Sequence, residues 1–189
     1  MILSLDISTS MTGFALIDNN GKIIVYKSVD LRKEKSFVKK VQLARNAIIS
    51  ATSSTMSIKL DAVVVEKNLQ GFRRGLSSAA TLNTLARFNG ALSFAVASYF
   101  DTELINLDVN EVRKTLGIKL IREKICGIPT KEQVKIGLDR LLAETGQSIQ
   151  WGTKTLKSGP RKGQEVIGDG VYDEVDAIVV GLAHLKKRP

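Results

Sequence analysis

The chain is 189 residues long, 43% hydrophobic and 25% charged, proportions of an ordinary globular protein with room for one well-packed core. No run reaches the ~18 apolar residues that would cross a bilayer, no leader is expected ahead of the first strand-like stretch, and the single Cys126 excludes an internal disulfide and suits a reducing compartment. A net charge of +9, from 28 Lys and Arg against 19 Asp and Glu, favours a polyanionic partner, nucleic acid ahead of a membrane surface; a generally basic, solvated surface is the plain alternative.

In chain order, "MILSLDIS" reads as a strand, and "TGFALIDNNGKIIVYKSVDL" as two strands joined by a hairpin turn at Asn20-Gly21. The basic run 31–51 carries apolar residues at Phe37, Val41, Ala44 and Ile48, a helix of about 33–52 packing on a sheet rather than lying on a membrane. "DAVVVEKN" (61–68) is a Val-rich strand buried on both faces, followed by the glycine-bounded basic loop "GFRRG". Residues 76–100 form a long helix rich in small side chains, and "TELINLDVNEVRKTLG" a fifth strand and a short helix. Pro129 and Thr130 signal the start of a helix that ends at Gly146. The glycine-rich stretch 146–170 carries Lys154, Lys157, Arg161 and Lys162 before any acid, and reads as a loop or small hairpin inserted before the last helix, either a DNA-contacting loop or a solvated linker. The order predicts an α/β fold: one domain over 1–189 with a five-stranded mixed sheet flanked by helices.

Four acids stand in core-like surroundings. Asp6 lies between Leu5 and Ile7 in the first strand, and Glu66 ends "AVVVE". Asp173 and Asp176 share a face one turn apart at the start of the apolar helix "YDEVDAIVVGLAH", while Glu174 is left to N-terminal capping. A carboxylate in a core is costly unless partnered, and four brought together repel. A divalent cation relieves that repulsion, and hard oxygen donors select Mg2+ or Mn2+. With one His and one Cys, zinc has almost no ligands to draw on. Two such ions serve phosphodiester hydrolysis, which matches a polycationic surface.

In order and spacing, "LSLDISTSMTGFALI", "DAVVVEKN" and "YDEVDAIVVGLAH" resemble the three acidic motifs of the RuvC-type Holliday junction resolvases, of the RNase H-like (retroviral integrase) superfamily. "GLSSAATLNTLARFNGALSFAVAS" resembles that family's long helix, and "VNEVRKTLGI" and "PTKEQVK" its basic segments, so the likeness runs from residue 2 to about 185. It implies an RNase H-like sheet, with Asp6, Glu66, Asp173 and Asp176 as catalytic ligands of two Mg2+ ions (Mn2+ as a substitute). It implies Arg113 and Lys131 near the scissile phosphate, and a homodimer making symmetric nicks in a four-way junction. It also implies a wedge at the junction centre, at Leu69 or at Phe72; stacking between the phosphate-binding Arg73 and Arg74 favours Phe72. Two departures, the 146–170 insertion and "KLIREKICGI", suggest a divergent, phage-encoded member acting in the cytoplasm at a bacterial nucleoid. The alternatives are a nuclease for other branched DNA or RNA/DNA substrates and a non-catalytic junction-binding protein, which loss of an acid would have signalled. "DISTSMTG" also resembles the first phosphate-binding hairpin of actin-like and sugar-kinase ATPases, which need a second domain that 189 residues do not hold.

Overall fold

The computed structural model describes residues 1–53, 59–67 and 78–188. Leu69, Phe72, Arg73 and Arg74 lie outside the described residues.

The elements are β1 (Ile2–Ile7), β2 (Met11–Ile17), β3 (Ile23–Asp30), α1 (Phe37–Thr52), β4 (Ala62–Glu66), α2 (Ala79–Phe100), β5 (Glu103–Leu107), α3 (Val109–Leu116), α4 (Glu123–Cys126), α5 (Thr130–Glu144), β6 (Thr153–Thr155), β7 (Glu165–Ile167) and α6 (Val171–Lys187). The first five strands form one mixed sheet, ordered β3-β2-β1-β4-β5. β1, β2 and β3 pair antiparallel, and β1, β4 and β5 pair parallel. This is the five-stranded sheet flanked by helices that the element order predicts.

Period-two alternation along each strand sorts the core into two layers. On one face Ile2, Ala15, Ile17, Ala62 and Val64 pack with α3, α5 and α6; on the other Leu3, Leu5, Phe14, Leu16, Val63 and Val65 pack with α1 and α2. Asp6 continues the series of Ile2 and Ser4, and Glu66 that of Ala62 and Val64, so both acids face α6.

Local chemistry explains the element ends. The β2–β3 connection is longer than a two-residue turn. Asp18 accepts from the backbone N–H groups of Asn20 and Lys22, Gly21 adopts φ 82°, and the register slips between Leu16 and Ile17. Gly21 closes the turn in the left-handed region, and the slip leaves Ile24 as the extra residue of a bulge in β3. The helix expected from about 33 starts at Phe37 because Ser36 caps it, its hydroxyl accepting from Lys39 N–H. The 146–170 stretch contains a two-stranded hairpin, β6 against β7. Trp151 anchors its base, edge-on to Tyr26 with centroids 5.7 Å apart and donating its indole N–H to Asp139.

Candidate functional site

Because β1, β4 and β5 run parallel, their C-terminal ends lie together, and Asp6, Glu66 and the residues after Leu107 meet at that end of the sheet. The first turn of α6 closes over them, and glycine permits the approach. Asp6 pairs across the ladder with Gly13, where a Cβ would stand 2.0 Å from the Asp173 carbonyl oxygen and 2.8 Å from Glu174 N. Any side chain there would push α6 off the sheet. Further along the helix Gly181 rests on Ser4 and Ile17, with 2.6 Å to either for an added Cβ. A strand-interior glycine is the one sequence signal that could have pointed to Gly13.

Asp173 and Asp176 are held over Asp6 and Glu66 by that packing. Burial pushes the Asp6 carboxyl well above the usual range, and the negative charges of Asp176, Glu66 and Asp173 raise it further. Glu66 is pushed up to about 7, chiefly by burial and then by Asp176, with Asp108 adding to it and Arg113 and Lys131 opposing. Burial also raises Asp176 and Asp173, against the attraction of Lys131 on both and of Arg113 on Asp176. The four sequence-predicted acids therefore share one electrostatic environment. Lys131 is felt by all four, and Arg113 by Glu66 and Asp176.

The neighbours fix this arrangement. Tyr172, in the first turn of α6, donates its hydroxyl to Glu132 at 2.8 Å, and Lys131 stands 5.9 Å from the centre of the Tyr172 ring. That contact ties the start of α5, and the Lys131 charge, to the helix bearing the acids. Asn89 of α2, nearly fully buried, donates to the Glu66 carbonyl at 3.3 Å and secures the end of β4.

Three features escape sequence reasoning. Asp108 caps α3, accepting from Asn110 and Glu111 N–H, and faces Glu66 as a further acid at the rim. Glu174 caps nothing: the cap of α6 is Gly170 at φ 84°, and the Glu174 carboxylate accepts from the Ser28 hydroxyl at 2.8 Å. All four hairpin cations are exposed; Lys154 is ion-paired with Asp169 at 2.5 Å, whereas Lys157, Arg161 and Lys162 form no ion pair among the described residues.

As chemistry, the donor set suits a hard divalent cation, since only carboxylates are present. As geometry it is not gathered into a finished cage: among the described residues no group of three or more His, Cys, Asp or Glu is arranged to hold a metal ion. No helix there is long and apolar enough to cross a membrane.

No family model and no curated protein sequence matches the chain. Solved structures do match. A structure of T. thermophilus RuvC in complex with a Holliday junction substrate superposes over 98% of this chain and 92% of that one, with TM-score 0.62 and 15% identity. A second Thermus thermophilus RuvC structure covers 97% and 93% of the two chains, with TM-score 0.56 and 16% identity. The fold is RuvC-like, with the mixed sheet and flanking helices of the RNase H-like class.

Proposed function

We propose that this chain, built on a RuvC-like fold, is a structure-selective endonuclease that resolves four-way DNA junctions by metal-dependent phosphodiester hydrolysis, working as a homodimer that nicks paired strands. One observation carries the reading: Asp6, Glu66, Asp173 and Asp176, all half-buried, converge from two strands and a helix on one end of the sheet, beside the cations Lys131 and Arg113. A cluster of mutually repelling, half-buried carboxylates costs stability, a cost expected where function selects for it. That the similar Thermus chain was solved on a Holliday junction substrate supports the choice of DNA as substrate.

Asp6, Glu66, Asp173 and Asp176 would hold the divalent cations. When bound, Mg2+ or Mn2+ supplies the Lewis acidity and positive charge that phosphodiester hydrolysis requires. The chain's own residues do the rest. Backbone packing of β1, β4 and the first turn of α6 holds the acids in place before substrate arrives, so little reorganisation is needed at the reacting phosphate. Lys131 Nζ and the Arg113 guanidinium bind its non-bridging oxygens and orient it towards the acids. The exposed Lys157, Arg161 and Lys162 of the hairpin contact more distant phosphates. Phe72, or Leu69 in its place, would form the wedge, with Arg73 and Arg74 as its flanking charges.

The test is cleavage of a synthetic four-way junction in Mg2+. Nicks in opposite strands, with linear duplex left largely intact, are expected. Equal cutting of linear duplex would sink the assignment. Preference for flaps, forks or RNA/DNA hybrids would move it to another branched substrate, and binding without cutting would make the chain a junction-binding protein.

A further inference from the structure

The segment between β3 and the first turn of α1 takes no part in the acid cluster, yet it carries Arg32, Lys33, Lys35, Lys39 and Lys40 within nine residues. Its position follows from the topology. β3 runs parallel to β1, so its last residues reach the same end of the sheet as Asp6: Met11 pairs with Asp30, and Leu31 N–H donates to the Ser10 carbonyl at 2.9 Å. The Lys40 ammonium donates to the carbonyl of Thr9, in the turn that begins two residues after Asp6.

The two acids of this stretch are occupied. Asp30 accepts from Arg32 at 2.7 to 3.1 Å, and Glu34 accepts the N–H groups of Lys35 and Ser36 at 2.7 Å. Lys33, Lys35 and Lys39 are exposed, and among the described residues none of them forms an ion pair with a carboxylate. Asp169 joins the stretch to the inserted hairpin, bridging Arg32 at 3.3 Å and Lys154 at 2.5 Å. It sits one residue before the Gly170 cap of α6. The lysines on one side of Asp169 and the hairpin on the other therefore lie at the β3 edge of the sheet, opposite β5, at the end where the acids gather, with α1 on the face away from them.

We infer that residues 32–40 form a second DNA contact, a cationic cradle for the sugar–phosphate backbone of a duplex arm leaving the acid cluster over the β2–β3 edge, with Asp169 clipping the inserted hairpin to it. The inference rests on the nuclease reading and deepens it by naming the surface that holds the arm. Exposed lysine ammoniums suit such a contact, because they hold phosphates as point charges and read no bases. The rival ligand is an anionic membrane, because Val38 and Leu43 on α1 are 62% and 49% exposed beside the lysines.

The experiment compares the wild type with Lys33→Ala/Lys35→Ala/Lys39→Ala and with a control of equal charge, Lys22→Ala/Lys59→Ala/Lys186→Ala, placed at the opposite end of the sheet. Binding of a synthetic four-way junction, and of one linear arm alone, is followed by anisotropy over a KCl series in EDTA, with phosphatidylserine vesicles as a third probe. The cradle variant should lose about 2 to 3 from the slope of log K against log salt, close to 0.9 per phosphate contact, on junction and arm alike. The control should keep the wild-type slope. An unchanged slope in the cradle variant, or an equal loss in the control, overturns the inference. So does loss of vesicle binding with DNA binding intact. A wild type that binds neither DNA probe overturns the nuclease reading beneath it, whereas a wild type that binds and cuts with an unaltered variant slope overturns the cradle alone.

Discussion

Glu66→Gln should stabilise the metal-free protein at alkaline pH while removing its activity. Folding pushes the Glu66 carboxyl from 4.5 to about 7, first by burial and then by the charge of Asp176. A proton thus binds the folded chain more tightly than the unfolded one. The favourable contribution is fully present below about pH 4.5 and is lost as pH rises through about 7. At about 1.4 kcal/mol per tenfold change in proton affinity, that interval corresponds to roughly 3 kcal/mol. Gln is nearly isosteric and neutral throughout, so the variant should lack this loss. The assay is urea denaturation in EDTA across the interval, read as the difference between variant and wild type. The difference should be near zero at the acid end and reach about 3 kcal/mol in favour of the variant above pH 7, with an unchanged m-value. Taking the difference cancels His184, whose proton affinity burial lowers and whose contribution runs the opposite way. It also cancels Asp30 and Asp61, held near 2 by their hydrogen-bond partners, whose stabilisation is lost only in stronger acid. A variant no more stable than wild type above pH 7, or a difference flat with pH, would refute the reasoning that Glu66 is partly desolvated among like charges. Millimolar Mg2+ should narrow the gap by stabilising the wild type more than the variant, which lacks one of the four acids.

Asp6→Asn should abolish junction cleavage and leave junction binding within a few-fold of wild type, because the basic surface supplies the affinity; an anisotropy titration that shows no binding would make Asp6 structural. Gly13→Ala should cost about 1 to 3 kcal/mol in urea midpoints and lower cleavage more than binding, since the new methyl meets the Asp173 backbone and lifts the first turn of α6. Wild-type stability and turnover in that variant would show that α6 need not sit so close. Lys157→Ala/Arg161→Ala/Lys162→Ala should reduce the salt slope of junction binding by about 2 to 3 if all three side chains meet phosphates. An unaltered slope would return the hairpin to a solvated role.

Much of the fold is legible in the order of residues alone, because its determinants are local. Alternation in "ILSLDI", the Val run before Glu66, the turn at Asn20-Gly21 and the apolar spacing of Phe37, Val41, Ala44 and Ile48 each report a period or a breaker within a few residues. The four acids are legible for a related reason: a carboxylate flanked by core residues stands out wherever the chain later goes. What surrounds them is set by strand register and helix packing, which join residues far apart in sequence. Only the tertiary structure puts Gly13 under the Asp173 backbone, sets the α3 cap Asp108 against Glu66, turns Glu174 to Ser28 and engages Lys154 with Asp169. Composition determined that this chain carries excess positive charge and a few costly acids. The parallel order of β1, β4 and β5 decided that the acids share one end of the sheet, because strands that run the same way must finish together.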